Sequence, residues 1–304
     1  MIPDRNQTLL AAAYATAAMA LIGYIDNHVR LIAAVGGLWQ FQLTRSAMAL
    51  PILLALAVLM KRRLWPNSWR ALGLRSLLAA TAMLIYFGCL GLMPIGTVLA
   101  GLFTAPIFTA LLSAWFFGAV IGWMHWLAIG LGFGGIMMVL GLDPASLSVV
   151  SLMPVLSGLV YAMSGVVTRE WCRNEQPVTL LAGFFGMMAL AGAVGLVVLA
   201  IWPQGVAPGA TGFVMRGWVA PTPTFLIWTL AQAAGSVIGV GLIIRAYQIA
   251  EAPRVAVFEN SLLVFAAIWA WVLWGEKVGI MALVGMVAIA LSGILIALAQ
   301  TDRK

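Results

Sequence analysis

The chain has 304 residues, of which 63% are hydrophobic and 8% charged, with a formal net charge of +7 and a mean hydropathy of +1.07. That much polar surface cannot cover a core of such size in water, so composition excludes a soluble domain and indicates a polytopic membrane protein. The basic residues sit in short segments between apolar runs, where they set orientation, and nucleic acid is excluded as a partner.

The N-terminal run carries only Arg5 and an acid, Asp4, before a long apolar stretch, and reads as a first span rather than a cleaved leader. Ten apolar stretches are expected: residues 9–25, 38–60, 72–92, 96–118 and 123–142 in the first half, and 148–168, 178–202, 224–249, 254–274 and 278–299 in the second. With the N-terminus in the cytoplasm, that side receives Arg5, Lys61, Arg62, Arg63, Arg70, Arg75, Arg169, Arg173, Arg245, Arg254, Arg303 and Lys304. The other side receives Arg30, Arg216 and Lys277, a split of twelve to three that places both termini in the cytoplasm. Because each half holds five stretches, the second must enter the membrane from the opposite side. The loops agree. Five basic residues follow stretch two and only Arg216 follows stretch seven, whereas none follow stretch three and Arg245 and Arg254 follow stretch eight. This is the pattern of an inverted-topology repeat. A shift of 157 residues also pairs Val98 with Val255, Phe108 with Phe265, Ala110 with Ala267, Gly118 with Gly275 and Gly122 with Gly279.

Seven of the nine acids fall in loops, tails or helix ends, leaving Asp26 and Glu259. Glu259 lies about 9 Å into a helix that starts near Pro253, and a carboxylate there costs roughly 2.5–3.5 kcal/mol. Two readings stand for it: a cavity group that orients an amine or cycles a proton, or a partner of Arg254 or a neighbouring helix end. Arg45 lies about 10 Å into the second stretch. Pairing with Asp26 would hold the first hairpin, and a role in gating is the other reading. His28 has two readings, a pH-responsive structural or gating group and a solvated residue at a wet helix end, the second being expected, and His125 is expected to sit at the interface. Tyr86, Thr104, Tyr161, Ser164, Gln232, Ser236, Asn260 and Ser261 are small polar or aromatic groups inside apolar runs. Together with Glu259 they suit a small amphipathic ligand with a zwitterionic head, though each alone could simply bridge helices.

Gly118/Gly122, Gly130/Gly134, Gly235/Gly239 and Gly275/Gly279 are spaced as close-packing pairs. Pro51 and Pro106 are expected to break two helices. Trp39, Trp65, Trp69, Trp123, Trp126, Trp171, Trp202, Trp218 and Trp274 are expected as interfacial anchors. Cys89 and Cys172 form neither a disulfide framework nor a metal set, and no catalytic triad, zinc motif or phosphate loop is present, so no cofactor, metal or enzymatic role is expected.

Two segments carry a family resemblance: LVFAAIWAWVLWGEKVGIMALVGMVAIALSGILIAL at residues 263–298, with Gly275-Glu276, Gly285 and Gly293, and MPIGTVLAGLFTAPIFTALLSAWFFG at residues 93–118, with Pro106, preceded by Arg45. They resemble the EamA-type repeats of the drug/metabolite transporter superfamily, over residues 10–298, and most of all its YddG-type exporters of aromatic amino acids. Ala119 stands where the first repeat would carry an acid. The resemblance implies an all-α membrane protein of ten transmembrane helices in two inverted five-helix repeats, 1–145 and 146–304. It further implies alternating access around a site between helices three, four, six, eight and nine. The cargo would be aromatic and related amino acids or small metabolites, exported across a bacterial inner membrane by a monomer. Efflux of cationic drugs, or proton-coupled export of other metabolites, is the alternative.

Overall fold

The computed structural model describes residues 5–62, 64–117, 122–140, 149–249, 258–259 and 261–301. Among these residues there is no strand. The helices are α1 Arg5–Asn27, α2 Val29–Val35, α3 Leu38–Leu59, α4 Trp69–Leu90, α5 Ile95–Leu102, α6 Ala105–Phe117, α7 Trp123–Leu140, α8 Val149–Trp171, α9 Pro177–Ile201, α10 Pro223–Ile249, α11 Ser261–Trp274 and α12 Ile280–Thr301. Each of the ten apolar stretches lies wholly or partly on helix. Among the described residues, six helical segments are long and apolar enough to cross a bilayer, and four more apolar helices are shorter.

Helix α9 shows what solvent these helices are built for. Phe185, Met188, Gly192 and Gly195 form its buried stripe, yet Leu190, Val194, Val197 and Ile201 on the outward side are just as apolar. A helix that is apolar all round matches lipid on one side and protein on the other, and its 25 residues span about 38 Å.

The fourth apolar stretch is not one helix. It breaks at Phe103–Thr104, because Pro106 has no N–H to give Leu102 O and suits the first turn of a new helix. Thr104 N and Thr104 Oγ1 both donate to Gly101 O, at 3.1 and 2.6 Å, which closes the last turn of α5. Pro51, by contrast, lies inside an uninterrupted α3.

The chain folds as two compact units, each drawing on both sequence halves. The first comprises residues 1–27, 94–162 and 238–304. Its dominant pairing is α7 with α12, followed by α1 with α11. Gly135 and Gly285 touch backbone to backbone: a Cβ on Gly135 would lie 2.6 Å from Gly285 O, and one on Gly285 2.5 Å from Gly135 O. Ser292 Oγ donates to Ala128 O at 2.6 Å across the same pair of helices. Asn27 Nδ2 donates to Gly23 O and Ala266 O, and Trp269 Nε1 to Ala20 O, which ties α1 to α11. The glycines expected to pack did not all do so. Gly130 and Gly134 face open space, and the contact face of α7 is one residue round, at Gly132 and Gly135. Gly275 ends α11 in the left-handed region (φ +66°), its N–H donating to Trp271 O, so its glycine serves a turn rather than a helix contact.

The second unit comprises residues 28–93 and 163–237. Here α9 packs on α3 and α4, with Gly192 and Gly195 admitting the backbone and indole of Trp39. Trp39 therefore packs against α9 at the start of α3, and its Nε1 donates to Val214 O at 3.0 Å. The loop between α9 and α10 is fastened to the corner between α2 and α3. Leu38 N donates to Phe213 O, and Gln40 exchanges two hydrogen bonds with Val219. Arg216 donates to Ala33 O and Gly36 O, both at 2.7 Å, and to Gly209 O at 2.6 Å.

On another edge of this unit, Glu175 accepts from Asn67 N and Ser68 N at the start of α4. Beside it Cys172 is buried, which pushes its thiol pKa up; the Arg75 guanidinium opposes this and the Glu175 carboxylate adds to it. In a Cys89→Ser background, iodoacetamide is expected to label Cys172 far more slowly at pH 8 than it labels a free thiol, and Arg75→Gln should slow it further. Labelling at the free-thiol rate would show that the turn is open.

A buried polar seam as candidate functional site

Two helices of the second unit carry polar side chains on single faces. On α3 these are Gln42, Arg45 and Ser46, spaced i, i+3 and i+4; on α10 they are Thr229, Gln232 and Ser236, spaced i, i+3 and i+7. A hydrogen bond links them, since Arg45 Nη2 donates to Ser236 Oγ at 2.8 Å. Below the polar part the contact turns apolar, with Ala49 and Leu53 clustered with Ala233, Val237 and Phe185.

The Arg45 guanidinium is only 5% exposed and lies among three rings: Phe87 at 4.8 Å from its carbon, Phe185 at 5.3 Å and Phe41 at 5.9 Å. Each ring face attracts a cation by about 0.5–2 kcal/mol without neutralising it. Tyr86, also buried, sets its ring edgewise to Phe87. Arg45 Nη1 donates to Gln42 Oε1 at 3.4 Å. Gln42, Ser46 and Thr229 are all fully buried, and Gln42 Nε2, Ser46 Oγ and Thr229 Oγ1 find no hydrogen-bond partner. A buried polar atom left without a partner costs about 1–3 kcal/mol, so three on this seam are a standing expense unless a ligand meets them.

The expected site residues divide between the units. Tyr86, Ser164, Gln232 and Ser236 belong to the second; Thr104, Tyr161, Glu259 and Ser261 to the first. Ser164 Oγ donates to Arg75 O at 3.4 Å, and Ser261 Oγ donates to Phe258 O at 2.6 Å. Tyr161 is 46% exposed and Glu259 is half-buried. Asn260 and the side chain of His125 lie outside the described residues, as do Pro253 and Arg254. Asp26 is buried at the end of α1 in the first unit, and Pro106 opens α6 there. His28 is not solvated: it is 4% exposed and stacks on Trp228, ring centroids 3.6 Å apart.

Gln42, Ser46, Thr229 and the three phenylalanines were not singled out by sequence reasoning. The i, i+3, i+4 recurrence of polar residues inside apolar runs was the signal for the polar ones; nothing marks which Phe of thirteen will face an arginine.

Comparison with known proteins places this geometry in a family. A solved crystal structure superposes over 99% of this chain and 100% of its own, with TM-score 0.64 and 15% identity, which speaks to the fold. A riboflavin transporter of Rhizobium johnstonii is 26% identical over 90% of this chain and 88% of its own. The pseudopaline exporter CntI of Pseudomonas aeruginosa is 26% identical over 75% and 74%. An S-adenosylmethionine uptake transporter of Rickettsia bellii is 25% identical over 64% and 62%. These relatives move different small metabolites, and both uptake and export are represented. The pattern of the EamA-like transporter family matches twice, at residues 9–141 and 148–298. The chain is a multi-pass membrane protein and belongs to the EamA-like transporter family.

Proposed function

We propose that this protein is a secondary transporter that exports aromatic and related amino acids, or small metabolites of similar build, across a bacterial inner membrane. The observation that carries this reading is the pair of polar faces on α3 and α10, where Gln42, Ser46 and Thr229 each hold a fully buried polar atom without a hydrogen-bond partner and Arg45 lies among three rings. Such a seam suits a small ligand with an aromatic part and a polar head. The two family matches support two five-helix repeats, residues 1–145 and 146–304, and the loop charges support their inversion with both termini cytoplasmic. Alternating access of such repeats moves cargo without a catalytic group. Tyr86, Ser164, Gln232 and Ser236, with Tyr161, Thr104, Glu259, Asn260 and Ser261, remain the candidate contacts, and Asp26, His28, Arg45 and Pro106 the candidate gating or structural ones.

Uptake of labelled phenylalanine into proteoliposomes, with and without an imposed proton gradient, tests this. Saturable uptake above empty liposomes is expected, reduced several-fold by Tyr161→Ala. If Glu259 cycles a proton, Glu259→Gln removes the gradient's stimulation and leaves the gradient-free rate. No uptake above empty liposomes would remove the aromatic amino-acid cargo while leaving the family standing.

A further inference from the structure

We infer that the α3–α10 seam is a carboxylate subsite, in which Arg45 and Gln42 receive the anionic end of the cargo while Phe41, Phe87 and Phe185 hold the guanidinium in place. This rests on the transport reading above and specifies the chemistry of what is carried. Three observations lead to it. Gln42 uses its acceptor, Oε1, on Arg45 and leaves its donor, Nε2, without a partner although the side chain is fully buried. The neighbouring hydroxyls of Ser46 and Thr229 do not bond back to their own helices, which is the usual resort of such residues in apolar surroundings. The cation between the rings is a guanidinium, whose planar fork matches a carboxylate better than a point charge would. The Arg45 fork and the Gln42 amide donor therefore argue for carboxylate-bearing cargo.

Gln42→Leu is the informative substitution. It removes an unmet buried donor but also the acceptor that Arg45 Nη1 reaches at 3.4 Å, two opposed effects on stability, whereas a donor used by a ligand would be missed. Binding to the purified full-length protein is measured by calorimetry for phenylalanine, 3-phenylpropionate and phenethylamine, which share the ring and differ in carboxylate and amine. Phenylalanine and 3-phenylpropionate are expected to bind, phenethylamine at least 30-fold more weakly. Gln42→Leu should weaken both carboxylates about tenfold with little change in melting temperature. Arg45→Gln should weaken them 100-fold or more, and Arg45→Lys should restore a part. Equal or tighter binding of phenethylamine, no binding of either carboxylate, or carboxylate binding indifferent to Gln42→Leu and Arg45→Gln would overturn the subsite.

Counterflow in proteoliposomes separates this from the transport reading. Counterflow of phenylalanine that ignores Gln42→Leu and Arg45→Gln sinks the subsite and keeps the transporter. Carboxylate binding that depends on Arg45, without movement of any probe, does the reverse.

Discussion

Replacing Arg216 with alanine is expected to raise the rate of thermolysin cleavage within residues 203–222 about 100-fold in the purified protein. Three charge-assisted bonds end on backbone carbonyls, two on residues 33 and 36 and one on Gly209 within the loop itself. In water-like surroundings each would be worth about 1.5–3 kcal/mol, and the half-exposed position discounts their sum to about 3 kcal/mol, roughly a hundredfold in the population of the open loop. Arg216→Lys should recover little, because an ammonium cannot span carbonyls that a planar fork reaches together. Cleavage at the wild-type rate in Arg216→Ala would show that Leu38, Trp39 and Gln40 hold the loop unaided.

The second large effect is expected at Gly285, where alanine should destabilise the protein by about 1–3 kcal/mol and valine should abolish recovery of folded protein. The added Cβ would meet Gly135 O at 2.5 Å, Val139 Cγ2 at 2.8 Å and Met138 Cβ at 2.9 Å, so α7 and α12 would have to part. Gly135→Ala should behave alike, facing Gly285 O and Ile289. Gly130→Ala and Gly134→Ala meet nothing within 4 Å and should be neutral, or stabilising by about 0.5–1 kcal/mol from helix propensity. Melting temperatures in detergent rank the four. If Gly130→Ala proved as damaging as Gly285→Ala, the assigned contact face of α7 would be wrong.

These glycines show where sequence reading reached its limit. Apolar length located the long helices, because the bilayer demands it whatever the neighbours are, but it missed the short α2, which lies between the first two stretches. Helix faces are another matter. In α7 every face is apolar, so the four-residue spacing of Gly130 and Gly134 carried no more information than the spacing of Gly132 and Gly135, and only packing distinguishes them. The same holds at the site. Arg45, Gln232 and Ser236 stood out as polar residues in apolar runs, but what surrounds the guanidinium is aromatic and comes from α3, α4 and α9 at positions 41, 87 and 185, a convergence that no linear pattern records. His28 was misread because a helix end is ordinarily wet; here Trp228 covers it.

The fastened loop also has a consequence for how the chain is made. Trp39 and Val214 are 175 residues apart, and Gln40 and Val219 are 179 apart. At about 5–20 residues per second of synthesis, the corner between α2 and α3 waits roughly 9–36 s for the segment that completes it. Until then Leu38, Trp39 and Gln40 present donors and acceptors with no native partner, beside helices already in the membrane. The corner thus becomes native only once synthesis has passed residue 219, and on the same helix Arg45, whose partner Ser236 follows 191 residues later, waits longer still.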